Sequence, residues 1–119
     1  MYSDAVLDHF HYPRNVGEIE DASIVVEASN PVCGDVLKLW ATIRDGKIEA
    51  VKFKAAGCVP SVACGSWLSD AIMTKPLSVL QLLTPEAIAN ALGGLPPASN
   101  HAAVLAVDAL RQLLAKTVG

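Results

Sequence analysis

The chain has 119 residues, 52% of them hydrophobic and 18% charged, so it can bury one core and is too short for two. Its net charge of −3 argues against a dedicated nucleic-acid binder, and no apolar stretch approaches the roughly 18 residues that span a bilayer. The polar start, Met1 to Asp4, lacks the basic and apolar regions of a secretory signal. We therefore expect a single cytoplasmic domain over residues 1–119.

The clearest local pattern predicts a β-hairpin. Apolar and polar residues alternate over residues 37–44 and again over residues 51–55, with the turn dipeptide Asp45-Gly46 between them. A two-residue loop pairs residues whose numbers sum to 91, whereas a three-residue loop that closes at Gly46 gives a sum of 90. We prefer the sum of 90, because it places Leu39 beside Val51 on one apolar face.

The other elements follow from caps, prolines and hydrophobic spacing. Ser3 can cap a short helix that ends before Pro13, and a strand is predicted over residues 23–28. The C-terminal half is predicted to be helical, with helices over residues 61–73, 78–83 and 85–92, the third of them capped by Thr84. A last helix is capped by Ser99 or Asn100, and its predicted core positions are Ala103, Val107, Leu110 and Leu114. Strands followed by helices predict an α+β fold, with a small three-stranded antiparallel sheet, helices packed on one face and a long C-terminal helix.

The hairpin brings two cysteines to its open end. Cys33 lies opposite Cys58 if the paired numbers sum to 91, and one position away if they sum to 90. Asp35 follows Cys33 by two residues, so in an extended chain both side chains point to the same side. Cys58 precedes a predicted helix, whose N–H groups and dipole favour a thiolate. These groups form an incipient metal site, although on spacing alone two buried core cysteines are an equally good interpretation.

His101 is the candidate for a fourth ligand. It opens the last helix after a Pro-Pro turn that could fold the helix start over the hairpin end, and an imidazole would suit zinc or iron. A solvent-facing or capping histidine is the other interpretation. Cys64 is six residues past Cys58, a helical rotation of about 240° and a rise of about 9 Å, so we predict that it packs in the core. His9 and His11 have no ligand partners at useful spacing.

Short motifs along almost the whole chain carry a family resemblance. They are Tyr2-Ser3, Asp8-His9-Phe10, Pro13-Arg14-Asn15-Val16-Gly17, Cys33-Gly34-Asp35-Val36, Lys38-Leu39, Gly46-Lys47-Ile48, Phe53-Lys54, Gly57-Cys58, and Leu95-Pro96-Pro97 followed by His101. With these motifs the chain resembles the IscU/NifU-type iron-sulfur cluster scaffold family. The resemblance implies a scaffold or carrier that binds iron or zinc and a transient 2Fe-2S cluster, and passes the cluster to apo-proteins. It implies that Cys33, Asp35, Cys58 and His101 bind the metal or cluster, with Asp35 tuning cluster lability.

The resemblance also implies partners and a role other than catalysis. The implied partners are a cysteine desulfurase, apo iron-sulfur proteins and a specialised Hsp70 with its J-type partner, while a homodimer is left open. The chain departs from the family at Ala102, where the family has its third cysteine, and at Ser99, where the chaperone-recognition segment ends in lysine. Two alternative interpretations are a zinc-dependent sulfurtransferase-type relative and a degenerate metal-binding paralogue. Ala102 argues against the first, because the expected acceptor thiol is absent.

Overall fold

A three-stranded sheet and five α-helices make up the computed structural model, which describes residues 2–31 and 34–117. The strands are β1 (Ile24–Ser29), β2 (Val36–Arg44) and β3 (Lys47–Ala56), antiparallel and in the order β1-β2-β3. The helices are α1 (Asp4–His11), α2 (Val59–Ile72), α3 (Leu77–Leu80), α4 (Pro85–Ala91) and α5 (Asn100–Thr117), the last preceded by a 3-10 turn at Pro97–Ser99. The predicted α+β class, strand number and long C-terminal helix are confirmed.

The hairpin turn contains two residues instead of the preferred three. Arg44 pairs with Lys47, which leaves Asp45 and Gly46 as the loop. Both loop residues have positive φ angles, 54° and 74°. An Asp-Gly dipeptide suits this left-handed turn, whose twist matches that of the two strands. The sum of 90 is therefore wrong, and the pairs beside the turn sum to 91.

A β-bulge then changes the register for the rest of the hairpin. Beyond Ile43 the pairing skips one residue of β3, Glu49, so that from Thr42 onward the paired numbers sum to 92. Leu39 consequently faces Phe53 instead of Val51. A bulge inserts one residue in one strand, and here it separates the buried Ile48 and Val51 by three positions instead of the two of a regular strand. This final register determines which residues meet at the open end of the hairpin.

The core lies between the sheet and two helices. α2 packs on β3 and α5 on β1, and the four predicted core positions of α5 are all buried: Ala103, Val107, Leu110 and Leu114. α2 approaches β3 closely at Gly65, where an added Cβ would lie 2.8 Å from ring atoms of Phe53. Burial of each large apolar side chain contributes about 1.5–3 kcal/mol, so this layer holds the helix starts over the sheet.

Local signals set most helix ends. Ser3 caps α1 by accepting a hydrogen bond from the Val6 N–H at 3.1 Å, and Thr84 caps α4 in the same way. α2 begins two residues earlier than predicted, at Val59, because proline is tolerated in the first turn of a helix. Cys58 thereby becomes the residue that precedes α2. Across residues 2–31 and 34–117, no helix has the length and apolar character needed to cross a membrane.

Candidate metal centre

Three side chains from three separate elements meet at the open end of the hairpin. Asp35 lies just before β2, Cys58 just before α2, and His101 in the first turn of α5. The Cys58 Sγ is 3.1 Å from Asp35 Oδ2, and His101 Nε2 is 3.4 Å from the same oxygen. Cys58 Sγ and His101 Nε2 are 3.8 Å apart. One potential ligand atom of each residue therefore lies within 4.8 Å of the other two, close enough to share one metal ion.

The remaining predicted ligand, Cys33, lies outside the described residues. Its proposed role stays a prediction. Among the residues that are described, Asp35, Cys58 and His101 form the one group of three or more such side chains close enough to hold a metal. Thiolate, imidazole and carboxylate are donors that zinc and iron both accept, so the chemistry of the three groups fits either metal.

The register of the hairpin places Asp35 against a glycine. One step beyond the last strand pair, Val36 with Ala56, Asp35 comes opposite Gly57. A Cβ at Gly57 would lie 2.3 Å from Asp35 Oδ1, so any other residue would collide with the carboxylate. Gly57 also has a φ of 143°, which L side chains rarely adopt. The carboxylate is only 5% exposed, with Oδ1 toward Gly57 and Oδ2 toward Cys58 and His101.

Ser61 is a member of this cluster that sequence reasoning missed. Its hydroxyl donates a 2.6 Å hydrogen bond to Asp35 Oδ2 and lies 3.4 Å from Cys58 Sγ. The Ser61 hydrogen bond is the main reason why the pKa of the Asp35 carboxyl is below its usual range; Cys58 and His101 act in the same direction and burial opposes them. A sequence signal existed, because a residue three positions after Cys58 falls in the same helical turn.

His101 is oriented with one ring nitrogen available to a metal. Its Nδ1 lies 3.0 Å from the carbonyl oxygen of Ala98. A carbonyl can only accept, so Nδ1 carries a proton, and Nε2, beside Asp35 and Cys58, is the ring nitrogen whose lone pair a metal would use. His101 is partly exposed and also lines a surface hollow of about 220 Å³, so the site has an open side.

The other predicted residues lie outside this cluster. Cys64 is completely buried in the core as predicted, and burial, helped by the charge of Cys58, raises the pKa of its thiol to about 12. His9 uses Nδ1 to contact the Ser66 hydroxyl at 2.7 Å, on the side where α1 packs against α2. Ala102, in place of the family's third cysteine, is buried next to His101.

The chain is similar to known proteins over almost its full length. The model of the NifU-like N-terminal domain family matches residues 1–117. An iron-sulfur cluster assembly scaffold protein, IscU 1 of Archaeoglobus fulgidus, is 44% identical over 114 residues, which cover 96% of this chain and 74% of that protein. IscU of Escherichia coli K12, also an iron-sulfur cluster assembly scaffold protein, is 36% identical over 118 residues, covering 96% and 91%.

A solved structure shares the fold. The crystal structure of a candidate iron-sulfur cluster assembly scaffold of the SUF system, from Fervidobacterium islandicum AW-1, superposes with a TM-score of 0.80. The two sequences are 24% identical, and the match covers 95% of this chain and 96% of that one. At this level of identity the likeness establishes the α+β architecture.

Proposed function

Because the chain belongs to the family of NifU-like N-terminal domains, we propose that it is a scaffold for iron-sulfur cluster assembly. The observation that carries the proposal is the convergence of Asp35, Cys58 and His101 within 4.8 Å, at the ends of three different elements. Each of the three belongs to a motif on which the family resemblance rests. We propose that these residues and Cys33 bind iron or zinc and, in the working state, a transient 2Fe-2S cluster.

The donor set is suited to holding a cluster for a limited time. Cys58 would bind iron as a thiolate, so it must give up the proton that it now directs toward Asp35 Oδ2. His101 directs Nε2 toward the site, and imidazole is an accepted ligand of iron-sulfur centres. The hard carboxylate of Asp35 matches sulfide-bridged iron least well, so it is the ligand most readily displaced when the cluster leaves.

The proposed role requires a donor of sulfur and acceptors of the cluster. We propose that a cysteine desulfurase supplies the sulfur and that apo iron-sulfur proteins receive the cluster through the open side at His101. Ala102 stands where the resemblance implies a third cysteine, and an alanine cannot carry a persulfide. We therefore propose that sulfur reaches the cluster without a persulfide intermediate at position 102. We also propose an Hsp70 with its J-type partner as a partner. Binding of this Hsp70 is to be compared between the parent protein and Ser99→Lys, because the resemblance implies a chaperone-recognition segment that ends in lysine.

Anaerobic reconstitution tests the proposed function. The protein is incubated with ferrous iron, cysteine, a cysteine desulfurase and a thiol reductant, which reduces the persulfide sulfur to sulfide, and the product is analysed by visible absorption and by iron and sulfide content. We expect a cluster on the parent protein and its loss in Cys58→Ser. Cys64→Ser is the matched control, because it changes a cysteine of the same helix region that is buried in the core, and it should keep the cluster.

The outcomes separate the alternatives. Failure of the parent protein to take up iron and sulfide together would refute the scaffold role. The sulfurtransferase-type alternative would give a different result. A cysteine would acquire a persulfide and transfer its sulfur to a second acceptor, with zinc bound and no cluster formed. A cluster that survives Cys58→Ser and is lost in Cys64→Ser would place the site elsewhere.

A further inference from the structure

We propose that Ser61 is a positioning residue that holds the Asp35 carboxylate in the orientation in which Oδ2 binds metal. The inference rests on the proposed function, since it concerns how one ligand of that site is held. Ser61 is 2% exposed, and its hydroxyl oxygen lies 2.6 Å from Asp35 Oδ2. It is not among the residues that the family resemblance assigns to the cluster.

Three groups contact the same carboxylate oxygen, and only one of them can remain a donor once metal is bound. The Cys58 thiol and the His101 ring approach Asp35 Oδ2 at 3.1 and 3.4 Å. As ligands, both would direct an electron pair toward the metal and would stop donating to Asp35. The Ser61 hydroxyl has no such second task, and a carboxylate oxygen has two lone pairs, one for Ser61 and one for metal.

On the opposite side of the carboxylate, no residue within 2–31 and 34–117 donates a side-chain hydrogen bond to Oδ1. Oδ1 points toward Gly57, whose missing Cβ supplies space rather than a hydrogen-bonding side chain. Ser61 therefore fixes the rotation of the Asp35 side chain from the Oδ2 side, in the empty and the loaded states alike. Partners of this kind orient metal-binding carboxylates, and their removal typically reduces metal affinity about 10- to 100-fold.

A double-mutant cycle with Zn²⁺ as the probe tests the proposal. Zinc affinity is measured by competition with a chelator for the parent, Ser61→Ala, Asp35→Ala and the double variant. We expect Ser61→Ala to bind Zn²⁺ about 10- to 100-fold more weakly than the parent. In the Asp35→Ala background, the same change should have little further effect, because Ser61 acts through Asp35.

Two further variants separate positioning from a general structural role. Ser61→Thr keeps the hydroxyl and should restore most of the affinity, together with the visible absorption of the Co²⁺-loaded parent. Ser69→Ala is the matched control, a buried serine of α2 whose hydrogen bonds go to Arg14, Asn15 and Ser66, and it should leave zinc affinity unchanged. Thermal unfolding of each variant shows whether it is folded.

The outcomes distinguish this inference from the proposed function. If the parent binds Zn²⁺ and Asp35→Ala weakens binding while Ser61→Ala binds as the parent does, the positioning role alone is refuted. If Ser61→Ala lowers affinity equally in the parent and in Asp35→Ala, Ser61 acts by another route and the inference is also refuted. A parent protein that binds neither Zn²⁺ nor a cluster would refute both.

Discussion

The buried thiol of Cys64 should make the stability of the protein fall in alkaline solution. Burial raises the pKa of Cys64 from an ordinary value of 9.0 to about 12. Below pH 9 the thiol keeps its proton in both the folded and the unfolded chain, so it has no effect on stability. Between pH 9 and 12 only the unfolded chain releases the proton, so the free energy of unfolding decreases as the pH rises.

The size of this effect follows from the shift. Each pKa unit corresponds to about 1.36 kcal/mol, so the loss between pH 8 and pH 10 is about 1 kcal/mol, and it increases further toward pH 12. Cys64→Ala removes the titrating group and leaves a small cavity. We therefore expect the variant to be less stable than the parent at pH 8, by a margin that shrinks by about 1 kcal/mol at pH 10.

Urea unfolding of both proteins at pH 8, 9 and 10, under reducing conditions and without metal, measures the margin. The other titrating groups are shared by the two proteins and cancel in the difference. A margin that stays constant from pH 8 to pH 10 would refute the reasoning, because it would mean that the Cys64 thiol ionises in the folded protein. Cys64→Ala should also bind Zn²⁺ as the parent does, since Cys64 lies in the core and not in the site.

Three further changes have defined expected results. Thr74 is β-branched and yet has a φ of 68°, a left-handed conformation that asparagine adopts more readily. Thr74→Asn should therefore raise the free energy of unfolding, measured in urea, by about 0.5–1 kcal/mol, and a decrease would contradict backbone strain at this residue. Asp35→Ala should lengthen the half-life of a reconstituted cluster under a chelator, because the poorly matched carboxylate is removed; an unchanged or shorter half-life would count against Asp35 as the labile ligand. Ala102→Cys should increase cluster yield, because the helix dipole stabilises a thiolate in the first turn of α5. An unchanged yield together with lower thermal stability would show that the new thiol packs in the core instead.

Sequence patterns predicted the elements of the fold and named the three side chains that the fold brings together, Asp35, Cys58 and His101, but they did not predict the features that depend on long-range contacts. Alternation and caps are local, so the three strands, the Ser3 and Thr84 caps and the core positions of α5 are found, although β3 begins at Lys47, four residues before the predicted return strand. The bulge was missed because the predicted alternation starts only at Val51; the buried Ile48 lies three positions before Val51, so the alternation is broken at Glu49. The contact between Ser61 and Asp35 joins residues 26 apart, and a serine near a helix start also has an ordinary structural explanation.

The bulge also determines which changes of chain length the hairpin can accept. The strand pairs run without a further shift from Thr42 to Val36, and a strand rises about 3.3 Å per residue, so a change at the turn is transmitted about 20–25 Å to the open end. Deleting Glu49 would remove only the unpaired residue and keep Asp35 opposite Gly57, whereas deleting Lys52 would place Asp35 opposite Cys58, which has a Cβ, and would turn the side chains beyond it to the wrong face. Changes of chain length should therefore persist only when they are absorbed before Thr42, at the exposed turn or at position 49.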